Sequence, residues 1–148
     1  KGEWLYFAPL RSGKLYRVRT ELLRSADPGA AGKLNEGVET YAGKPPATSI
    51  SLDNKGNIYV GDILGRAIGV IEPEKREYRV LTSDPRLVQP DGLFFGQDGK
   101  LYFFSRSQFA ALARPAEAAP PALITAPSSA PEHSLFRMKA LAPGRAGD

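Results

Sequence analysis

The sequence predicts an all-β chain: a partial β-propeller of about three four-stranded antiparallel blades, the first lacking its innermost strand. Three observations predict it: a gapless internal repeat, hairpin turns at the same place in each copy, and a composition rich in turn formers. Thr48–Tyr59 aligns without gaps on Asp91–Tyr102, pairing Ile50 with Leu93, Leu52 with Phe95, Gly56 with Gly99, Ile58 with Leu101 and Tyr59 with Tyr102. Self-similarity repeating every 40 to 50 residues, with four strands per unit, is the pattern of propeller blades. A β-sandwich or an open antiparallel sheet fits short alternating strands as well, and the gapless repeat favours the propeller.

Each copy reads as a short strand, a tight turn and a second strand. The turns Asp53-Asn-Lys-Gly56 and Gln97-Asp-Gly-Lys100 carry the Asn, Asp and Gly residues that tolerate positive φ. A third copy opens the chain, where Gly2-Glu-Trp-Leu-Tyr6 matches only the second strand. Third strands follow ten residues on, at Leu15–Val18 after Leu5 and at Ile68–Ile71 after Ile58, with Leu135–Met138 as the counterpart in the last blade. Outer strands are Val38–Tyr41 and Tyr78–Leu81. The blades therefore divide the chain at 1–46, 47–88 and 89–148. Two segments interrupt the pattern. Thr20–Arg24 reads as one helical turn with Thr20 as N-cap, ahead of a loop at Asp27–Gly32. Residues 109–131, dominated by Ala and Pro, read as an insertion in the last blade.

Composition excludes more than it identifies. Fifteen glycines and thirteen prolines suit a turn-rich β chain. With no cysteine there is no disulfide framework, thiolate zinc site or cysteine nucleophile, and His133 is the only histidine. Ser105 and Ser107 have no histidine base near them in sequence. The net charge of +4 comes from basic residues scattered along the sequence, which speaks against nucleic acid as a partner. No stretch approaches the ~20 apolar residues that span a bilayer, so no membrane is expected. The opening Lys-Gly-Glu-Trp-Leu-Tyr is strand-like, not a signal peptide.

Three segments resemble the major royal jelly protein and yellow family: Leu5–Arg24, Gly56–Gly69 and Asp84–Leu93, with Ser134–Met138 similar to its closing strand. The resemblance implies the C-terminal half of a six-bladed propeller that binds a small ligand. It implies secretion or a periplasmic location, with any targeting segment upstream. It also implies that the ring is completed by missing N-terminal blades of the same chain or by self-association. The sequence departs from the family pattern at Ala47-Thr-Ser-Ile50, where an acidic position is replaced, and at Ser105-Arg-Ser-Gln108.

In a propeller, inner strands begin and second strands end on one face, around a shared mouth. This nominates Thr48, Ser49, Asp62, Asp91, Ser105, Arg106 and Gln108 as a ligand-binding rim, with Pro9 in the first blade. Asp91 stands where the related gluconolactonase and regucalcin propellers place a metal-binding aspartate, so Ca2+ or another divalent cation is the expected cofactor if there is one; equally, Asp91-Gly92 starts a strand with an Asx-type turn. Asp62 could bind a cationic ligand or pair with Arg66. Arg106 could hold an anionic group or a neighbouring carboxylate. The aromatic residues Tyr6, Phe7, Tyr16, Tyr59, Phe94, Phe95, Tyr102, Phe103 and Phe104 are expected to pack between blades. The alternative function is a metal-dependent lactonase-like hydrolase or a dopachrome-type tautomerase, in which Asp91 would help to hold a carbonyl-polarising cation.

Overall fold

A computed structural model describes residues 2–24, 30–106 and 133–144. Strands β1 (Trp4–Phe7), β2 (Lys14–Arg19) and β3 (Glu39–Gly43) form one antiparallel sheet, with helices α1 (Thr20–Leu23) and α2 (Ala30–Glu36) between the last two strands. A four-stranded sheet follows in the order β4 (Ala47–Leu52), β5 (Ile58–Asp62), β6 (Ala67–Ile71) and β7 (Tyr78–Ser83). The third sheet orders β8 (Pro90–Phe95), β9 (Leu101–Arg106) and β10 (His133–Met138). The chain is thus a run of propeller blades, and among the described residues the first has no strand inside β1.

Both repeat copies fold alike, even in their irregularities. Gly56 (φ 80°) and Gly99 (φ 70°) supply the left-handed positions of the two inner hairpins. Each inner strand also shifts register just after it begins, between Ala47 and Ile50 in β4 and between Asp91 and Phe94 in β8. Such bulges bend a strand and re-aim its first side chains. Two apolar clusters fill the spaces between blades. One gathers Leu15, Tyr41, Ala42, Ala47, Ile58, Val60 and Ile71 between the first two blades. The other gathers Tyr59, Ile68, Val70, Leu93, Phe95, Leu101 and Phe103 between the second and third. Each large side chain buried there contributes about 1.5–3 kcal/mol.

Three expectations need correction and a fourth holds in part. Arg19, not Thr20, is the N-cap residue of α1; the Thr20 hydroxyl instead donates to the carbonyls of Gly2 (2.8 Å) and Glu3 (3.2 Å), tying the helix to the start of the chain. The loop expected through Gly32 gives way to α2 from Ala30, a helix with too little apolar periodicity to be read in advance. The third blade shows three strands among the described residues, because after Met138 the chain turns back toward the inner hairpins. Of the aromatic residues expected between blades, Tyr59, Phe95 and Phe103 do pack there, with Tyr59–Phe95 in edge-on contact at 5.7 Å. Phe7–Tyr16, Phe94–Tyr102 and Phe103–Phe136 stack between directly paired strands of one blade.

Arginines scattered in sequence also converge in space. The guanidinium groups of Arg17 (3.9 Å) and Arg19 (4.6 Å) approach the Trp4 ring, and those of Arg17 (5.3 Å) and Arg76 (4.8 Å) the Tyr41 ring. Glu39 and Glu3 pair with Arg17 and Arg19, so this ladder staples the first blade to the second as a largely neutralised unit.

Candidate functional site

The strand ends nominated from sequence do come to one end of the blades. Asp62 pairs with Ala47 across β4–β5, Pro90 with Ser105 and Asp91 with Phe104 across β8–β9. What their side chains do there divides them into two groups.

Most are engaged in holding the fold. The Thr48 hydroxyl donates to the Pro90 carbonyl, and the Ser49 hydroxyl accepts from the Leu93 amide at 3.0 Å. Together they stitch β4 to β8 along the seam between neighbouring inner strands. Gly61 makes that seam possible, since a side chain there would put its Cβ 2.4 Å from the Pro90 carbonyl oxygen. Ser105 is buried and accepts from the Gln89 amide at 3.2 Å. Pro9 offers its carbonyl to Lys44, whose buried ammonium donates also to the carbonyls of Ser12 and Pro45 at 2.8–3.2 Å; burial pulls this amine below its ordinary range.

Asp62 is 5% exposed and does not pair with Arg66. Its Oδ1 accepts from the Gly65 amide at 2.8 Å and its Oδ2 from the Tyr78 hydroxyl at 2.8 Å. Burial and the adjacent carboxylate both push the Tyr78 phenol upward. Arg66, at φ 46°, reaches instead toward the Pro85 carbonyl. Gly65, Arg66, Ser83, Asp84 and Pro85 line a shallow cavity of about 250 Å³ on this face, which strand-end logic missed because it belongs to two outer loops.

Asp91 and Arg106 form the second group. Asp91 Oδ1 accepts from the Gly92 amide at 2.8 Å, with Gly92 at φ 57°. Its Oδ2 faces an Arg106 guanidinium nitrogen at 3.9 Å, too long for a hydrogen bond. The Asp91 side chain is 24% and the Arg106 side chain 39% exposed, and the guanidinium lies 5.2 Å above the Phe104 ring. Phe104 in turn packs where a side chain on Gly92 would be. The result is a partly exposed carboxylate and guanidinium beside a half-buried ring at this end of the third blade. Gln108 lies outside the described residues.

Calcium takes about six to eight oxygen ligands. Among the described residues no three acidic or histidine side chains converge. Asp91 faces a guanidinium, Asp62 is buried behind Tyr78, and the hydroxyls of Thr48 and Ser49 already serve the seam. These residues do not fit a calcium site.

The family model described as major royal jelly protein matches residues 1–114. No curated protein matches the sequence. Among solved structures, a luciferin-regenerating enzyme superposes over 98% of this chain with a TM-score of 0.61 at 17% identity. The chain spans 44% of that enzyme's length.

Proposed function

The chain belongs to the major royal jelly protein family, and from that premise we propose that it forms part of a propeller whose mouth binds a small amine-bearing ligand between Asp91 and Arg106. The single observation that carries this reading is the open geometry of the pair: at 3.9 Å, each charge keeps hydrogen-bonding capacity for a third party. The carboxylate suits an ammonium group, the guanidinium suits a carboxylate or hydroxyl, and Phe104 offers an apolar ring behind them. The hydrolase alternative needs a divalent cation at Asp91, which the Arg106 charge opposes.

Two further expectations rest on the same premise. Family membership supports an exported protein. The outward flanks of the first and third blades, with Leu5, Phe94 and Leu135 exposed, support completion of the ring by other blades of the same chain or by a second copy.

The test is calorimetric titration with tyramine, and separately with calcium chloride. Saturable tyramine binding, weakened about tenfold or more in Asp91→Ala as expected for loss of a charge-assisted contact, is the predicted outcome. Calcium binding that disappears in Asp91→Ala would overturn it in favour of the hydrolase.

A further inference from the structure

At the end of the blades opposite the mouth, the chain does something that no strand pattern announces. Beyond Met138 it crosses to the inner hairpins of the second and third blades. There Ala142 is buried and Ala140 packs against the cluster around Tyr59 and Phe95. The Leu141 amide donates to the Tyr59 hydroxyl at 2.7 Å, and the Asn54 amide donates to the Pro143 carbonyl at 3.0 Å. Asp53, in the turn between β4 and β5, orients this contact. Its Oδ1 accepts from the amides of Lys55 and Asn57, and its Oδ2 from the Asn57 side chain (2.8 Å) and the Tyr59 hydroxyl (3.0 Å). With its proton committed to Asp53, Tyr59 turns a lone pair toward Leu141. Burial, reinforced by Asp53, pushes this phenol up to about 12, so it keeps that proton.

Both neighbouring hairpins are shaped to receive the segment. A side chain on Gly99 would place its Cβ 3.0 Å from Pro143, and one on Gly144 would lie 2.2 Å from the Phe95 ring. The segment therefore touches β4–β5 through Asn54 and Tyr59, and β8–β9 through Gly99 and Phe95.

We infer that residues 139–144 are a strap: they clamp the inner hairpins of the second and third blades together at the end remote from the mouth, and thereby hold the β4–β8 seam in register. The seam is stitched at one end by Thr48 and Ser49. The strap closes the other.

Hydrogen exchange on the full chain tests this with two variants that perturb the docking from opposite sides, one on the blade and one on the strap. Tyr59→Phe removes the acceptor for Leu141 but keeps the ring. Gly144→Ala drives a methyl group into Phe95 and lifts the strap's end. Both should speed exchange of the Leu141 and Asn54 amides by about fivefold or more, the effect of losing one net hydrogen bond. The Leu93 amide, at the far end of the seam, should also exchange faster. Gly32→Ala, with nothing within 4 Å of the added methyl, should leave all three unchanged. Unaltered exchange at Leu141 and Asn54 would overturn the docking itself. Faster exchange there with Leu93 unaffected would reduce the strap to an attached tail and overturn its clamping role.

Discussion

A carboxylate as buried as Asp62 is tolerated only while its oxygens are occupied, and two donors do this: the Gly65 amide and the Tyr78 hydroxyl. Tyr78→Phe keeps the ring over Gly69 but strips one oxygen of its partner. A loss of about 1–3 kcal/mol, the penalty for an unsatisfied buried polar atom, is expected in chemical denaturation. The exposed carboxylate Asp84 behaves differently. Both of its oxygens meet the Arg86 side chain, at 2.7 and 2.9 Å, and these bonds, with the Arg86 amide, hold its carboxyl at about 2. A depressed acid stabilises the fold when ionised. Its contribution is complete above the ordinary carboxylate range and is lost as pH falls through about 2. Carboxyl NMR should show that titration, and Arg86→Ala should return it upward; an unmoved midpoint would exclude the pairing. Neither partner could be assigned from sequence. Asp62 stood at the right strand end, but the hydroxyl that claims it comes from sixteen residues away on another strand.

At the scale of elements, strands were legible and their contacts were not. Period-two alternation and Gly-bearing turns located the hairpins because both are local properties. Helix α2 escaped because Gly32 and a single large apolar side chain, Leu34, give it no readable face. The hydroxyls of Thr48 and Ser49 pointed to a rim by topology, yet their partners lie more than forty residues along the chain. Glycines mark where such contacts are tightest. In β6, a methyl on Gly69 would sit 2.1 Å from the Tyr78 ring. Gly69→Ala should cost about 1–3 kcal/mol through overpacking, read as a lower thermal midpoint. In the α2 interior, where Gly32 has open space, the same change should raise stability by about 0.5–1 kcal/mol.

For the whole molecule, the repeat was enough to predict blades, and the family match and the superposition on the luciferin-regenerating enzyme agree with it. The mouth was only half legible. Asp91 and Arg106 could be named from their positions, but which rim residues remain available to a ligand depends on how adjacent blades meet. The outward flanks lead to a separate prediction. Leu135 is 71% exposed and Phe94 42%, both on the third blade. Leu135→Lys with Phe94→Lys should weaken concentration-dependent self-association in sedimentation velocity, since flat apolar β surface invites pairing. An unmodified chain that sediments as a monomer at all concentrations would refute this.

The seam between β4 and β8 has one more implication. Thr48 and Ser49 grip the main chain of the following blade, at the Pro90 carbonyl and the Leu93 amide, and ignore its side chains. Those two grips use backbone atoms alone, and selectivity for side chains at this joint lies instead in the cluster around Tyr59, Leu93 and Phe95. The choice of neighbour therefore rests with the packed apolar side chains and with the space left at Gly61, while the two hydroxyls set only the register at which the inner strands meet.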